Sequence, residues 1–248
     1  MLRSKIVYIT LLFSVLLMGC SRKFSIFLVG DSIMSQKKPA YYPETGWGMP
    51  FSKLFSSNVK IINAAVNGRG TIDFRADGHW QPIIDSVKKK DYVFIGFGHN
   101  DRNPLNKGAY CKPEEYKANL IKYIEEVRNK KATPVLFTPL AHDFFDSAGH
   151  AIRLHGKYPE QVYAIAKDYK VLLIDLHEIS LSFFDELGPV MTKRLFLHLD
   201  PTEHTNYPKG ITDITHLNQI GAKVVADLVV KELHKKTVKR IRRELRYN

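Results

Sequence analysis

A hydroxyl, an imidazole and a carboxylate able to do nucleophilic chemistry stand at opposite ends of this chain. Ser32 closes the segment Phe27-Leu28-Val29-Gly30-Asp31-Ser32, where an apolar run leads straight into glycine, acid and hydroxyl. The glycine permits a sharp turn that carries the following side chains out of a sheet. Far downstream, Asp213-Ile214-Thr215-His216 sets a carboxylate three residues before a ring, immediately ahead of a helix beginning near Leu217. In a turn or a first helical turn, that spacing lets the carboxylate reach the imidazole. The contact would fix the tautomer and stabilise the imidazolium formed during reaction. Two more segments can offer hydrogen-bond donors. Asn63-Ala64-Ala65-Val66-Asn67-Gly68-Arg69-Gly70 is built of small residues that admit close backbone approach, so a peptide N–H can point into a cleft. Gly98-His99-Asn100-Asp101 brings the side-chain amide of Asn100. Taken singly, each of the four segments is equally the make-up of a turn or a helix cap.

Elements that must position them follow from the hydrophobic pattern. Short β-branched and aromatic runs predict strands at Ser25–Val29, Val59–Asn63, Tyr92–Phe97, Pro134–Thr138 and Val171–Asp175. Amphipathic stretches at Glu114–Asn129, Pro159–Tyr169 and Leu217–His234 predict helices. Pro113 ahead of Glu114 and Glu115 reads as a helix start, with acids at the positive end of the dipole. Strands alternating with helices imply crossover connections and a mostly parallel sheet covered on both faces. No internal repeat, low-complexity linker or composition break divides the chain, so a single domain is expected.

The 248 residues suffice for a large core, and 44% hydrophobic with 25% charged residues excludes a disordered or collagen-like chain. A formal net charge of +12 suits a polyanionic partner: nucleic acid, anionic lipid or acidic polysaccharide. With 2 cysteines, neither a disulfide framework nor a thiolate-rich metal site is available. Residues 1–20 read as a secretory signal: Arg3 and Lys5, then an apolar run from Ile6 to Met18 too short to span a bilayer. Leu17-Met18-Gly19-Cys20 resembles a bacterial lipoprotein box, which would make Cys20 a lipidated mature N-terminus. Cys111 is then the remaining thiol, expected buried rather than reactive. The expected division is a signal at 1–20, a catalytic domain at 21–236 and a basic tail at 237–248, the tail either a solvated continuation of the final helix or an electrostatic contact for anionic lipid or polymer.

Other groups invite blander readings. His198, Asp200, Glu203 and His204 match no familiar zinc spacing, and their segment is expected to form a loop that walls the substrate. His142-Asp143, after the fourth strand, fits substrate contact and simple solvation equally. Trp47 and Trp80 are expected in the core or lining a cleft. Gly96, Gly98 and Gly68-Arg69-Gly70 lack the spacing of a dinucleotide fingerprint.

In combination and in this order, the four segments resemble the SGNH (GDSL-type) hydrolase superfamily. Gly78-His79-Trp80, Tyr158-Pro159-Glu160, and His198-Leu199-Asp200-Pro201 through Asn206-Tyr207-Pro208 are similar to its rhamnogalacturonan acetylesterase branch. Arg69-Gly70-Thr71 and His79 depart from that branch's usual serines and arginine. The resemblance implies an α/β fold: a three-layer α/β/α sandwich on a five-stranded parallel sheet of flavodoxin-like order 2-1-3-4-5. That order would gather the loops after the first three strands at the carboxyl edge, beside the point where strand order reverses. It further implies Ser32 as nucleophile, His216 as general base then acid, and Asp213 as orienting carboxylate. The oxyanion hole would comprise the N–H of Ser32, the N–H of Gly68 and the amide of Asn100. Neither cofactor nor metal is implied. The expected function is a secreted serine esterase that deacetylates a plant cell-wall polysaccharide, pectic rhamnogalacturonan in particular. Its partners would be that acidic glycan and, through Cys20, a membrane of the bacterial envelope, with no role for nucleic acid. Two rivals stay open: a lysophospholipase or thioesterase on the same fold, and a catalytically silent glycan-binding lipoprotein.

Overall fold

The computed structural model describes residues 23–236 and 238–246. Cys20 and the 1–20 signal lie outside the described residues. At the centre runs β1 (Phe24–Gly30), flanked on one side by β2 (Val59–Asn63) and on the other by β3 (Tyr92–Gly96), β4 (Thr133–Phe137) and β5 (Leu172–Ile174). The five form a parallel sheet in the order β2-β1-β3-β4-β5. This is the order implied by the resemblance, and the strand bounds agree with those read in the sequence to within one residue at either end.

Both faces of the sheet are covered, which is why its strands read as nearly unbroken apolar runs. Alternate side chains serve two cores. Ile26, Leu28, Phe94, Val135 and Phe137 pack with Trp47, Phe51, Leu181, Phe184, Val225 and Val229 on one face. Phe27, Val29, Val93, Ile95 and Leu136 pack with Phe74, Trp80, Leu120, Tyr123 and Val162 on the other. The helices supplying them are α1 (Gly48–Phe51), α2 (Asp73–Ala76), α3 (Trp80–Ser86), α4 (Pro113–Asn129), α5 (Tyr158–Asp168), α6 (Leu176–Lys193) and α7 (Gln219–Lys235). Trp47 and Trp80 are both buried, and the Trp80 indole donates to Glu126. Helix α7 starts two residues later than the periodicity suggests, because Asn218 caps it by accepting from Ile220 N and Gly221 N.

Three features differ from the sequence reading. Helix α6 was not foreseen; Gly188, at a φ of 74°, and Pro189 interrupt its pattern. The loop expected around His198 is in part a strand, β6 (Phe196–Leu199), paired antiparallel with β7 (Ile211–Leu217). The basic segment after α7 is not a solvated continuation of it. A separate helical turn, α8 (Lys239–Arg242), buries Ile241 completely, and Leu245 bridges back to Phe55.

Gly30 sits where β1 meets β3, opposite Gly96. A Cβ on Gly30 would lie 2.2 Å from the Gly96 carbonyl oxygen. The glycine is therefore required by close strand approach, whereas the sequence reading had assigned it to a sharp turn. Among the described residues, no helix is long and apolar enough to cross a membrane.

Candidate active site

Ser32 leaves the carboxyl end of β1 on a tight turn. The Asp31 carbonyl accepts from Met34 N and Ser35 N, and the Asp31 carboxylate accepts from Ile33 N at 3.0 Å. His216 and Asp213 approach from β7. The pairing there is irregular: Leu197 opposes Asp213, yet the adjacent Phe196 opposes Leu217. Residues 214–216 therefore bulge out of the hairpin. Asp213 Oδ1 holds that bulge by accepting from Thr215 N at 2.8 Å and His216 N at 3.0 Å. The bulge is what brings an i, i+3 pair together on a strand, in place of the turn or helical turn expected from the spacing.

The resulting relay is short. Asp213 Oδ2 lies 2.7 Å from His216 Nδ1, and His216 Nε2 lies 2.9 Å from Ser32 Oγ. An ionised carboxylate can only accept, so the imidazole proton belongs on Nδ1 and the Nε2 lone pair faces the hydroxyl. Burial by itself would raise the Asp213 pKa, but His216 and the two backbone donors bring it down to about 2. Burial would likewise lower that of His216; its hydrogen bond and attraction to Asp213, helped by Glu44, leave it above the ordinary 6.5.

Three donors meet at the same sheet edge. Gly68 has a φ of 74°, a left-handed conformation that favours glycine. Among the described residues, neither Ser32 N nor Gly68 N donates to a protein acceptor. The Asn100 amide spends one N–H on the Arg69 carbonyl at 3.1 Å, and its second remains available. Asn106 braces this corner by donating to the Gly68 carbonyl at 2.9 Å and to Asn100 Oδ1 at 3.2 Å. Deeper in, Asp101 accepts from both Thr71 N and Thr71 Oγ1, tying the loop after β3 to the loop after β2. Its burial pushes the Asp101 pKa up to about 6, and that of Asp31 up to about 7. Cys111 is buried against Asp101 and Thr71; burial first, then the Asp101 charge, pushes its thiol up to about 12.

A second set of residues beside Ser32 escaped the sequence reading. Lys37 Nζ donates to the Ser32 carbonyl at 2.6 Å and to Asn67 Oδ1 at 2.9 Å, and pairs with Glu44 Oε1 at 2.5 Å. Both charges are buried, their side chains only 1% and 8% exposed. Lys37 thus joins the nucleophile's turn to the residue before Gly68, and Ser35 Oγ reinforces the link by donating to Asn67 Oδ1. Glu44 Oε1 also lies 3.9 Å from His216 Nε2. Its negative charge favours the imidazolium. Glu44→Gln is accordingly expected to lower the His216 pKa and move the acidic limb of the kcat/KM profile to lower pH. A limb that stays in place or moves upward would show that Glu44 does not act on His216.

Histidines crowd the neighbouring loops. His99 Nδ1 lies 3.3 Å from His155 Nε2, and Arg102 Nη2 donates to His142 Nε2 at 3.0 Å. Ligand atoms of His99, His142 and His155 lie within 4.8 Å of one another, the spacing that could admit a metal ion. The guanidinium already seated on His142 opposes a second cation there, and the close imidazole pair satisfies one nitrogen on each partner. Burial holds these rings neutral, His142 at about 3 and His99 and His155 well below the usual value. The segment suspected of metal ligation is dispersed onto separate partners. His198 pairs with Asp143 at 2.8 Å, Glu203 accepts from Asp200 N, and His204 accepts from Asn206 N.

Ser32, His216 and Asp213 therefore form one hydrogen-bonded relay at the carboxyl edge, and the loops carrying Gly68 and Asn100 are tied to each other at the same edge, an arrangement suited to acyl transfer. Residues 28–224 match the model of the GDSL-like Lipase/Acylhydrolase family. The chain belongs to that family. It is a carboxylic ester hydrolase. Among relatives of this acylhydrolase, a rhamnogalacturonan acetylesterase of Bacillus subtilis is 37% identical over 210 residues, covering 85% of this chain and 89% of the relative. A rhamnogalacturonan acetylesterase of Emericella nidulans is 36% identical, covering 84% of this chain and 83% of the relative. In fold, the chain is similar to Axe2, an acetylxylan esterase from Geobacillus stearothermophilus. The TM-score is 0.62 at 20% identity, over 86% of this chain and 96% of that one.

Proposed function

We propose that this hydrolase removes acetyl groups from a plant cell-wall polysaccharide, rhamnogalacturonan in particular, through an acetyl-serine intermediate. The observation that carries the chemistry is the 2.9 Å contact of His216 Nε2 with Ser32 Oγ, on a ring oriented by Asp213. His216 takes the hydroxyl proton as Ser32 attacks the acetyl carbonyl. Charge on the carbonyl oxygen is met by the N–H groups of Ser32 and Gly68 and by the Asn100 amide, each donor contributing about 10²–10³ in turnover. His216 then protonates the departing sugar hydroxyl, leaving acetyl-Ser32. Water, deprotonated by the same ring, attacks this ester and releases acetate.

The small acyl group is supported by the two relatives, both named as acetylesterases. The polysaccharide is supported by the names of the two relatives, and the net charge of +12 suits a galacturonate-bearing polymer. The signal read at residues 1–20 supports export, with Cys20 as the point of lipid anchorage. Acetate release from acetylated pectin, xylan and chitin fragments, beside acetyl and octanoyl model esters, tests the reading. Pectic fragments and acetyl esters are expected to be preferred. A preference for octanoyl esters would favour the lysophospholipase or thioesterase alternative, and no hydrolysis of any ester would favour the glycan-binding one.

A further inference from the structure

We propose that Arg102 binds a carboxylate of the substrate's own backbone, that of a uronate close to the acetylated sugar. The inference rests on the polysaccharide acetylesterase reading above and specifies what the site grips besides the ester.

Arg102 follows Asn100 by two residues, on the turn that its own backbone N–H closes by donating to the Gly98 carbonyl. Its guanidinium contacts His142, and the next residue is tied to the catalytic bulge, Asp143 N donating to the Ile214 carbonyl at 2.9 Å between Asp213 and His216. The cation therefore stands at the rim of the reacting centre. Its charge is uncompensated. Arg69, on the same edge, is neutralised by Asp77 at 2.7 Å and Asp73 at 3.9 Å. Arg75 and Arg153 are paired with Glu126 and Glu178. Among the described residues, no carboxylate lies within ion-pair distance of Arg102.

The acids nearest in sequence or space are engaged elsewhere. Asp101 turns to Thr71, Asp213 to His216 and Asp143 to His198. His142 accepts one of the five guanidinium N–H bonds but, being neutral, returns no charge. Among the described residues, buried Arg102 Nε has no acceptor. A half-buried guanidinium in this condition has lost water without gaining an anion, an unfavourable state that an incoming carboxylate relieves. The planar fork suits a carboxylate better than a sugar hydroxyl, because it offers two parallel donors and a full charge. Neutral acetylated sugars cannot supply that partner, whereas a uronate in the polymer can.

Free acetate, the product, carries the same group, so the test must separate the two sources. Acetate release is measured from a galacturonate-bearing acetylated oligosaccharide and from the same oligosaccharide with its carboxylates methyl-esterified. Wild-type enzyme is expected to show the lower KM on the acid form, an advantage that shrinks with added salt. Arg102→Gln is expected to raise KM on the acid form about tenfold, toward that of the methyl ester, with the effect in KM and not kcat. Arg102→Lys, a point charge without the fork, should fall between the two, and serves alone should the Gln variant fail to fold by thermal melting. Inhibition by free galacturonate should weaken in the variants and inhibition by free acetate should not; the reverse pattern would assign Arg102 to product and overturn the proposal. Equal changes on both oligosaccharides, or a loss confined to kcat, would also overturn it. Wild-type enzyme that cleaves acetyl model esters but neither oligosaccharide would instead refute the substrate reading on which the proposal rests.

Discussion

Ser32→Ala is expected to abolish ester hydrolysis, by about 10⁶-fold in kcat if the hydroxyl is the nucleophile. The loss should be chemical and not structural. The turn that presents residue 32 is held by Asp31 and by the Lys37 contact to the residue 32 carbonyl, and none of these bonds uses the Ser32 side chain. Removing one hydroxyl also leaves the Gly30 to Gly96 strand approach untouched. Initial rates on an acetyl ester, with a thermal melt of the same sample, separate the two kinds of loss. Turnover near the wild-type rate in a folded variant would remove Ser32 from its role.

His216→Ala is expected to cost nearly as much, about 10⁶-fold, because the serine loses the group that accepts its proton. Asp213→Asn should cost less, about 10⁴-fold. Its effect follows from geometry. Asp213 uses Oδ1 for two backbone N–H groups and Oδ2 for the ring. An asparagine that keeps its carbonyl oxygen on the backbone must present its NH₂ group to His216 Nδ1. The ring would then carry its proton on Nε2, pointing at Ser32 instead of receiving from it. A variant pair ranked the other way in kcat, both folded, would contradict the division of labour between ring and carboxylate.

The sheet was legible because both its faces are covered: runs such as Phe27 to Val29 and Val93 to Ile95 have no other use than a buried strand. That the loops carrying Ser32, Gly68 and Asn100 share one sheet edge followed from the strand order, which came from resemblance and not from periodicity. The local structure around His216 was opaque. Ile211, Ile214 and Leu217 repeat every third residue and imitate a helix approach, while the bulge that decides the geometry depends on Phe196 and Leu197 across the hairpin. Lys37 and Glu44 carry no local mark, since a lysine in a polar stretch reads as surface until the fold buries it. The same holds for Arg102, whose missing counter-charge is visible only once Arg69 is seen paired with Asp77. In the basic tail, charge concealed the apolar anchors Val238, Ile241 and Leu245.

Covalent trapping addresses the centre of this account most directly. The intact protein, treated with an organophosphonate ester that mimics the tetrahedral intermediate, is digested and mapped by mass spectrometry. A single adduct on the peptide holding Ser32, absent after His216→Ala, is the result expected of a hydroxyl activated by that ring. Labelling at another residue with Ser32 unmodified, or equal labelling of Ser32 when His216 is gone, would contradict it.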